Sequence, residues 1–201
     1  MNPTRRSAHV EILLLAAGPS KRMGTPKQSL PFKDTSLVRH LTREALASDA
    51  QGVTVVTGAW ADHVRQELTG LPARLVHNED WENGMASSLR KGVRSLPHIT
   101  HACLMMLCDQ PLVSRFSLNR IIEAYRSSSH LIVASEYGGI VGVPALYDRS
   151  LLPRFHALNG DQGARAFLRT TDIPTVLLPL PEAAVDLDTP DEYSSFLRSL
   201  Q

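Results

Sequence analysis

The sequence predicts an α/β fold: one domain over residues 1–201, built as a three-layer sandwich around a mostly parallel sheet. Three observations carry that reading. Short apolar runs alternate with segments whose apolar residues recur at helical spacing, the pattern of strand–helix–strand units with right-handed crossovers. The runs 9–16 and 101–107 are almost wholly apolar, as strands covered on both faces are. Loops carrying Pro and charged residues follow both runs, and in such sheets ligands gather beyond the carboxyl ends of the strands.

With 201 residues and 43% hydrophobic content the chain can bury a sizeable core. Its formal net charge of +1 supplies no global field for nucleic acid or an anionic membrane, so any anion site must be a local cluster. No run approaches the ~20 apolar residues that a membrane span needs. Glu11 interrupts the short apolar stretch after Arg5 and Arg6, which does not fit a secretory signal. No nucleic-acid or membrane partner is expected, and a cytoplasmic location is. Cys103 and Cys108 lie five apart in the apolar run 102–108, and in an extended run such positions face opposite sides and cannot bridge; buried, reduced thiols are expected.

Taken in order, residues 1–8 are polar and expected to fray. Residues 9–16 form the first strand, and 30–32 a short extended piece. Asp34, Thr35 and Ser36 offer caps for a helix in which Leu37, Val38, Leu41, Ala45 and Leu46 share a face, with Gly52 beyond its end. Residues 53–57 and 73–77 are strands around a helix at 59–68 that stops near Gly70. Residues 84–96 read as a helix with Met85, Leu89, Val93 and Leu96 inward. After the strand at 101–107, Ser114 offers a cap to a helix that turns Leu118, Ile121, Ile122 and Tyr125 inward. Residues 131–134 and 141–146 flank a Gly138-Gly139 turn as two strands, and 148–155 and 162–168 are expected helices. Residues 173–180 hold an edge strand despite Pro174 and Pro179, and a last helix opens at Pro190.

Chemistry concentrates first where Leu15, Ala16, Ala17 and Gly18 run into Ser20, Lys21, Arg22, Met23, Gly24 and Lys27. Gly18 and Gly24 let the backbone approach a ligand closely, and such a loop can aim several N–H groups at one anion. Lys21, Arg22 and Lys27 add full charges, so a polyphosphate suits it best. The spacing is not that of a Walker loop, because Thr25-Pro26-Lys27 follows Gly24. Nor is it a dinucleotide fingerprint: Ser20 and Met23 stand where the second and third glycines belong. The remaining pattern, L-A-A-G-x-S-x-R-M-G-x-x-K, resembles the signature of the MobA-like nucleotidyltransferases and, within them, the molybdenum cofactor cytidylyltransferases. A basic surface connection is the alternative.

Asp109 ends the most apolar strand, and a carboxylate there has the oxygen-donor character that Mg²⁺ requires. It can equally cap the turn toward Ser114; Cys108-Asp109-Gln110-Pro111 resembles the family's metal-binding turn. Asp186 and Asp188, two apart in an extended segment, project to one side and can share a cation. Asp188 or Thr189 can instead cap the last helix. The resemblance to a D-x-D-T-P motif implies Asp186 as second metal ligand and leaves Asp188 open.

Asn78 can give and accept hydrogen bonds on a base edge, and the helix start at Gly84 offers free N–H groups. A cap at Asn83 beside an exposed Trp81 explains the same residues without function. N-x-x-W-x-x-G-M-x-S-S-L resembles the cytidylyltransferase base-binding segment, which implies Asn78, Gly84 and Ser88. In the turn Gly160-Asp161-Gln162-Gly163, Asp161 can cap a helix. Together with Arg165 the same turn can receive the phosphate of a second substrate. G-D-x-G-A-R resembles the family's acceptor-facing segment, implying Gly160, Asp161, Gly163 and Arg165. The eight histidines show no zinc spacing, and no G-x-S-x-G elbow occurs.

The resemblance runs in order from Leu13 to Asp191 and implies a Rossmann-like nucleotidyltransferase fold. It implies transfer of CMP from CTP to the phosphate of molybdopterin or the molybdenum cofactor, with release of pyrophosphate. Amides from Ala17 to Gly24 would hold the triphosphate with Arg22 and Lys27, and Mg²⁺ on Asp109 and Asp186 would meet the α-phosphate. Such chemistry needs positioning and charge neutralisation more than a covalent nucleophile. Ala16-Ala17-Gly18, where guanylyl-transferring relatives have two glycines, favours CTP. A molybdoenzyme or its maturation factor is an implied partner. Two alternatives stay open: a cytidylyltransferase for another phosphorylated acceptor, and a non-catalytic cofactor carrier, which would need no metal carboxylates.

Overall fold

In the computed structural model, which describes residues 5 and 7–200, nine strands alternate with six α-helices. The strands are β1 (Val10–Ala16), β2 (Pro31–Phe32), β3 (Thr35–Ser36), β4 (Gly52–Thr57), β5 (Arg74–His77), β6 (Ala102–Leu107), β7 (Ile132–Tyr137), β8 (Ile140–Asp148) and β9 (Thr175–Pro179). The helices are α1 (Leu37–Leu46), α2 (Ala61–Glu67), α3 (Met85–Ser95), α4 (Arg115–Ser127), α5 (Ala164–Thr170) and α6 (Pro190–Ser199). Seven strands form one sheet in the order β5-β4-β1-β6-β8-β7-β9. From β5 to β6 every pairing is parallel, whereas β8 runs antiparallel to both β6 and β7, and β9 returns parallel to β7. The sheet is mostly parallel and Rossmann-like, as expected, and the proline-bearing β9 lies at its edge.

Both faces of β1 are buried along its whole length. Ile12, Leu14 and Ala16 join the core under α1, α4 and α6, while Leu13, Leu15 and Ala17 join the core under α3 and α5. Cys108 belongs to the first core and Cys103 to the second; both thiols are free and buried. Glu11 is 1% exposed, and its carboxylate accepts from Thr54 Oγ1 at 3.0 Å and Arg74 Nη2 at 3.2 Å, the pairing that a buried charge requires.

Three local expectations are corrected. Helix α3 does not turn Met85 inward: Met85 is exposed, and Ala86, Ser87, Ser88, Leu89 and Gly92 form the buried face. The bare backbone at Gly92 lies close to the sheet: a Cβ there would sit 2.6 Å from Leu13 Cδ1. Residues Arg149–Ala157 form 3-10 rather than α-helix, and Pro153 inside them has no N–H to give. Helix α5 starts at Ala164, two residues later than expected, because Gln162 is held in the preceding turn by hydrogen bonds to Asn159. Of the stretch expected to fray, residues 1–4 and 6 lie outside the described residues. Arg5 donates to His130 O at 2.6 Å, and Ala8 is buried. Among the described residues no helix is long and apolar enough to cross a membrane.

Candidate active site

The carboxyl ends of β1 and β6 open on one side of the sheet, and the loops that follow them meet there. The β1 loop bends at Ser20, whose φ of +55° is unusual for a residue with a side chain. Its carbonyl accepts from Met23 N (3.0 Å) and Gly24 N (3.2 Å), and its hydroxyl accepts from Lys27 N at 3.0 Å. These bonds swing Lys27 back under the loop. Lys27 Nζ then donates to Asp109 Oδ2 at 2.6 Å and to Asp188 Oδ1 at 3.0 Å. Arg22 Nη2 reaches the other oxygen of Asp188 at 2.6 Å. The basic bend and carboxylates more than 80 residues away along the chain therefore share one cluster.

Each acidic residue is placed by a local device. The carbonyl of Asp109 accepts Leu187 N at 3.0 Å, which joins the two acidic segments through their backbones. Thr189 caps α6 in a box with Glu192, so Asp188 is spared from capping and turns toward Lys27. Asp109, Asp186 and Asp188 each present an oxygen within 4.8 Å of the others.

Burial alone would lower the Lys27 pKa, but Asp109 and Asp188 more than offset it and the group is held firmly protonated. Asp188, although partly dehydrated, is held below the usual carboxylate range by Lys27 and Arg22. Asp186 behaves oppositely. Its side chain reaches solvent, yet dehydration by surrounding protein, and then the like charges of Asp109 and Asp188, push its pKa up to about 7.

These residues fit a divalent cation. The donors are hard carboxylate oxygens, and Asp109 Oδ1 is buried with no hydrogen-bond partner while its other oxygen serves Lys27. An orphaned anionic oxygen beside two further carboxylates is a cation ligand in waiting.

Two cavities meet at Asp109. One, of about 780 Å³, is lined by Leu15, Ala16, Ala17, Gly18, Ser20, Arg22, Lys27, Gly84, Ser88, Asp109 and Asp188. The other, of about 460 Å³, takes in Asp161, Gly163, Arg165 and Asp186. Most residues singled out in the sequence are thus brought together. Four, Met23, Gly24, Asn78 and Gly160, are not at the cavity wall. Met23 is buried, and the Met23 and Gly24 amides are spent on Ser20, so the free donors of the loop end at Arg22. Asn78 is 2% exposed; its Nδ2 donates to Ser87 Oγ (2.8 Å) and Ser88 Oγ (3.0 Å), and its Oδ1 accepts Asp80 N. It fixes the start of α3 rather than facing a base.

Gly84, at φ +86°, caps α3 in place of Asn83, and Gly163 caps α5 in place of Asp161. A Cβ on Gly84 would sit 2.4 Å from the Gly160 backbone, while Gly160 O accepts Ala86 N at 2.9 Å. The segments around Gly84 and Gly160 are therefore in direct backbone contact, and Asp161 lines both cavities.

Arg169, Tyr137 and Gln110 also line the smaller cavity and were missed. Arg169 was legible as the residue one helical turn beyond Arg165. Tyr137 and Gln110 carry no comparable signal.

Residues 12–175 match the family model described as the MobA-like NTP transferase domain. The chain is 34% identical to nicotine blue oxidoreductase of Paenarthrobacter nicotinovorans over 166 residues, 78% of this chain and 80% of the relative. It is 28% identical to the purine catabolism protein PucB of Bacillus subtilis (97% and 99%) and 24% identical to the molybdenum cofactor cytidylyltransferase of Escherichia coli (92% and 93%). Among solved structures, Rv0371c of Mycobacterium tuberculosis H37Rv superimposes with a TM-score of 0.85 at 30% identity, covering 95% of this chain and 98% of that one. A complex of the same protein with manganese gives 0.80 at 28% identity, covering 96% and 100%. With the loop, the carboxylate cluster and the sheet topology all in agreement, the chain belongs to the MobA-like NTP transferase family.

Proposed function

We propose that this protein transfers CMP from CTP to the phosphate of molybdopterin or the molybdenum cofactor, releasing pyrophosphate with Mg²⁺ as cofactor. The observation that carries the reading is the place of Asp109: it lies at the junction of two cavities, with Lys27 on one oxygen and a bare second oxygen. Transfer between two substrates needs such a shared wall. The larger cavity, with its basic loop, takes the nucleotide. The smaller one, with Arg165 and Arg169, takes the phosphorylated acceptor.

Asp109 and Asp186 would hold the metal, with Asp188 as third oxygen donor; when bound, Mg²⁺ supplies charge neutralisation at the reacting phosphate. The chain's own residues do the rest. In the free protein the cations Lys27 and Arg22 neutralise Asp109 and Asp188. A triphosphate offers Arg22 a new partner, and the Asp188 oxygen it leaves would be available to the metal beside the bare oxygen of Asp109. Arg22, exposed, swings at little cost, whereas Lys27 stays in place and offsets charge that develops on the departing pyrophosphate. The acceptor's phosphate oxygen attacks in line from the smaller cavity, held by Arg165.

The choice of CTP and of a pterin acceptor rests on the Ala16-Ala17-Gly18 wording and on the similarity to the Escherichia coli cytidylyltransferase. A pyrophosphate-release screen of the four nucleoside triphosphates, with Mg²⁺ and pterin cofactor, tests it. Release with CTP and a product mass equal to the cytosine dinucleotide is expected. No release with any triphosphate would sink the enzymatic reading; release with a different base or acceptor would replace the substrates.

A further inference from the structure

We propose that Gln28 and Trp60 are positioning residues that aim the amides of the β1 loop at the triphosphate. The inference rests on the nucleotide reading above and adds what holds the loop in its binding form.

Five consecutive loop carbonyls already have donors. Gln28 Nε2 donates to Ala16 O (3.1 Å) and Gly18 O (2.8 Å). Ala59 N donates to Ala17 O at 3.2 Å, Trp60 Nε1 to Pro19 O at 3.1 Å, and Met23 N and Gly24 N to Ser20 O. In a planar trans peptide the C=O of one residue and the N–H of the next point in opposite directions. Fixing the carbonyl therefore fixes the amide on the other side of the plane. With Ala17, Pro19 and Ser20 carbonyls held, the N–H groups of Gly18, Ser20 and Lys21 face the other way. Among the described residues the amides of Gly18, Ser20, Lys21 and Arg22 have no acceptor, and all four residues line the larger cavity. A row of free donors on one wall is the complement of a polyphosphate.

The two side chains suit this task. Gln28 is 1% exposed, and a carboxamide there supplies two hydrogens to two carbonyls while its Oε1 faces Ser20 Oγ at 3.4 Å. Trp60 follows β4, and its ring stands edge-on to His63, 5.7 Å between centroids. Gly58 makes room for the clamp, since a Cβ there would sit 2.5 Å from Ala17 O. The loop is thus gripped by a residue after its own motif and by another from the turn that follows the neighbouring strand.

The experiment is calorimetric titration of CTP with Mg²⁺, and separately of inorganic tripolyphosphate, into wild type and into W60F and Q28E. Trp60→Phe keeps the ring and removes the N–H. Its Kd should rise about three- to tenfold for both ligands alike, the size of one lost neutral hydrogen bond. Gln28→Glu places a group without hydrogens against two carbonyls, and its Kd should rise more than tenfold. In turnover, W60F should raise KM for the nucleotide and leave kcat and the acceptor KM within about twofold; a general structural defect would not spare them. W60F binding tripolyphosphate as tightly as wild type overturns the proposal. Weakening for CTP alone also overturns it, by assigning Trp60 to the base. Should wild type bind neither ligand, the nucleotide reading itself fails and this inference falls with it.

Discussion

The two cavities that meet at Asp109 are built differently. The larger is lined by the loop after β1, the start of α3, the end of β6 and charges that already neutralise one another: Lys27 with Asp109 and Asp188, Arg22 with Asp188. The smaller holds two arginines, Arg165 and Arg169, that carry no ion pair among the described residues. On the function proposed above, the first cavity takes the triphosphate with its charges already paired, and the second offers its free cations to the acceptor's phosphate.

The comparison breaks most visibly at Asp109, which serves both cavities. Asp109→Asn should lower kcat by about 10³-fold or more, since it removes the charge that a metal needs while keeping the volume. The fold should survive: Lys27 keeps Asp188, and Asp109 O still accepts Leu187 N. Near-wild-type turnover with an unchanged far-ultraviolet spectrum would remove Asp109 from the chemistry.

Lys27→Ala belongs to the larger cavity alone. It should cost about 2–4 kcal/mol of transition-state stabilisation, read as kcat/KM for the nucleotide, by analogy with deleting one preorganised donor. Arg165→Ala and Arg169→Ala sharpen the contrast from the other side. Each should raise the acceptor KM about tenfold, the size of one charge-assisted hydrogen bond, and leave the nucleotide KM unmoved. Equal effects on both KM values would mean that the cavities are not separate subsites.

This division also decides what was legible in the sequence. The loop's residue types point to a polyanion by themselves, whereas capping explained Asp109 and the Asp186/Asp188 pair equally well and the resemblance favoured a metal. The strands were legible because β1 and β6 are buried on both faces and leave unbroken apolar runs. The face of α3 was not: Met85 is exposed, and the small Ala86, Ser87, Ser88 and Gly92 that are buried instead give hydrophobic periodicity little to register. Asn78 was singled out by the resemblance, and its carboxamide is buried on the hydroxyls of Ser87 and Ser88. Gln28 and Trp60 act on backbone carbonyls, and a carbonyl leaves no mark in the sequence at all.

The smallest expected effect concerns Asp186, which faces the acceptor side of the cluster. Its pKa of about 7 stands above the ordinary 3.8, so between those values the folded state binds a proton that the unfolded chain has released. Its contribution to stability is then fully present below pH 3.8 and is lost as pH rises through 7. Asp188 shifts the other way, and its stabilisation, present above 3.8, is lost only at more acid pH. Buried His40, with its pKa lowered by burial and by Lys33, gains stability as pH rises to 6.5 and opposes the trend. The difference between wild type and Asp186→Asn isolates the carboxylate from both. In a chelator, wild type should lose melting temperature relative to that variant from pH 5 to pH 8, and added Mg²⁺ or Mn²⁺ at pH 8 should restore it, because a cation takes the place of the proton among three crowded acids. Parallel melting curves for the two proteins across that range would mean that Asp186 titrates as an ordinary surface carboxylate and that the cluster holds no more than two effective charges.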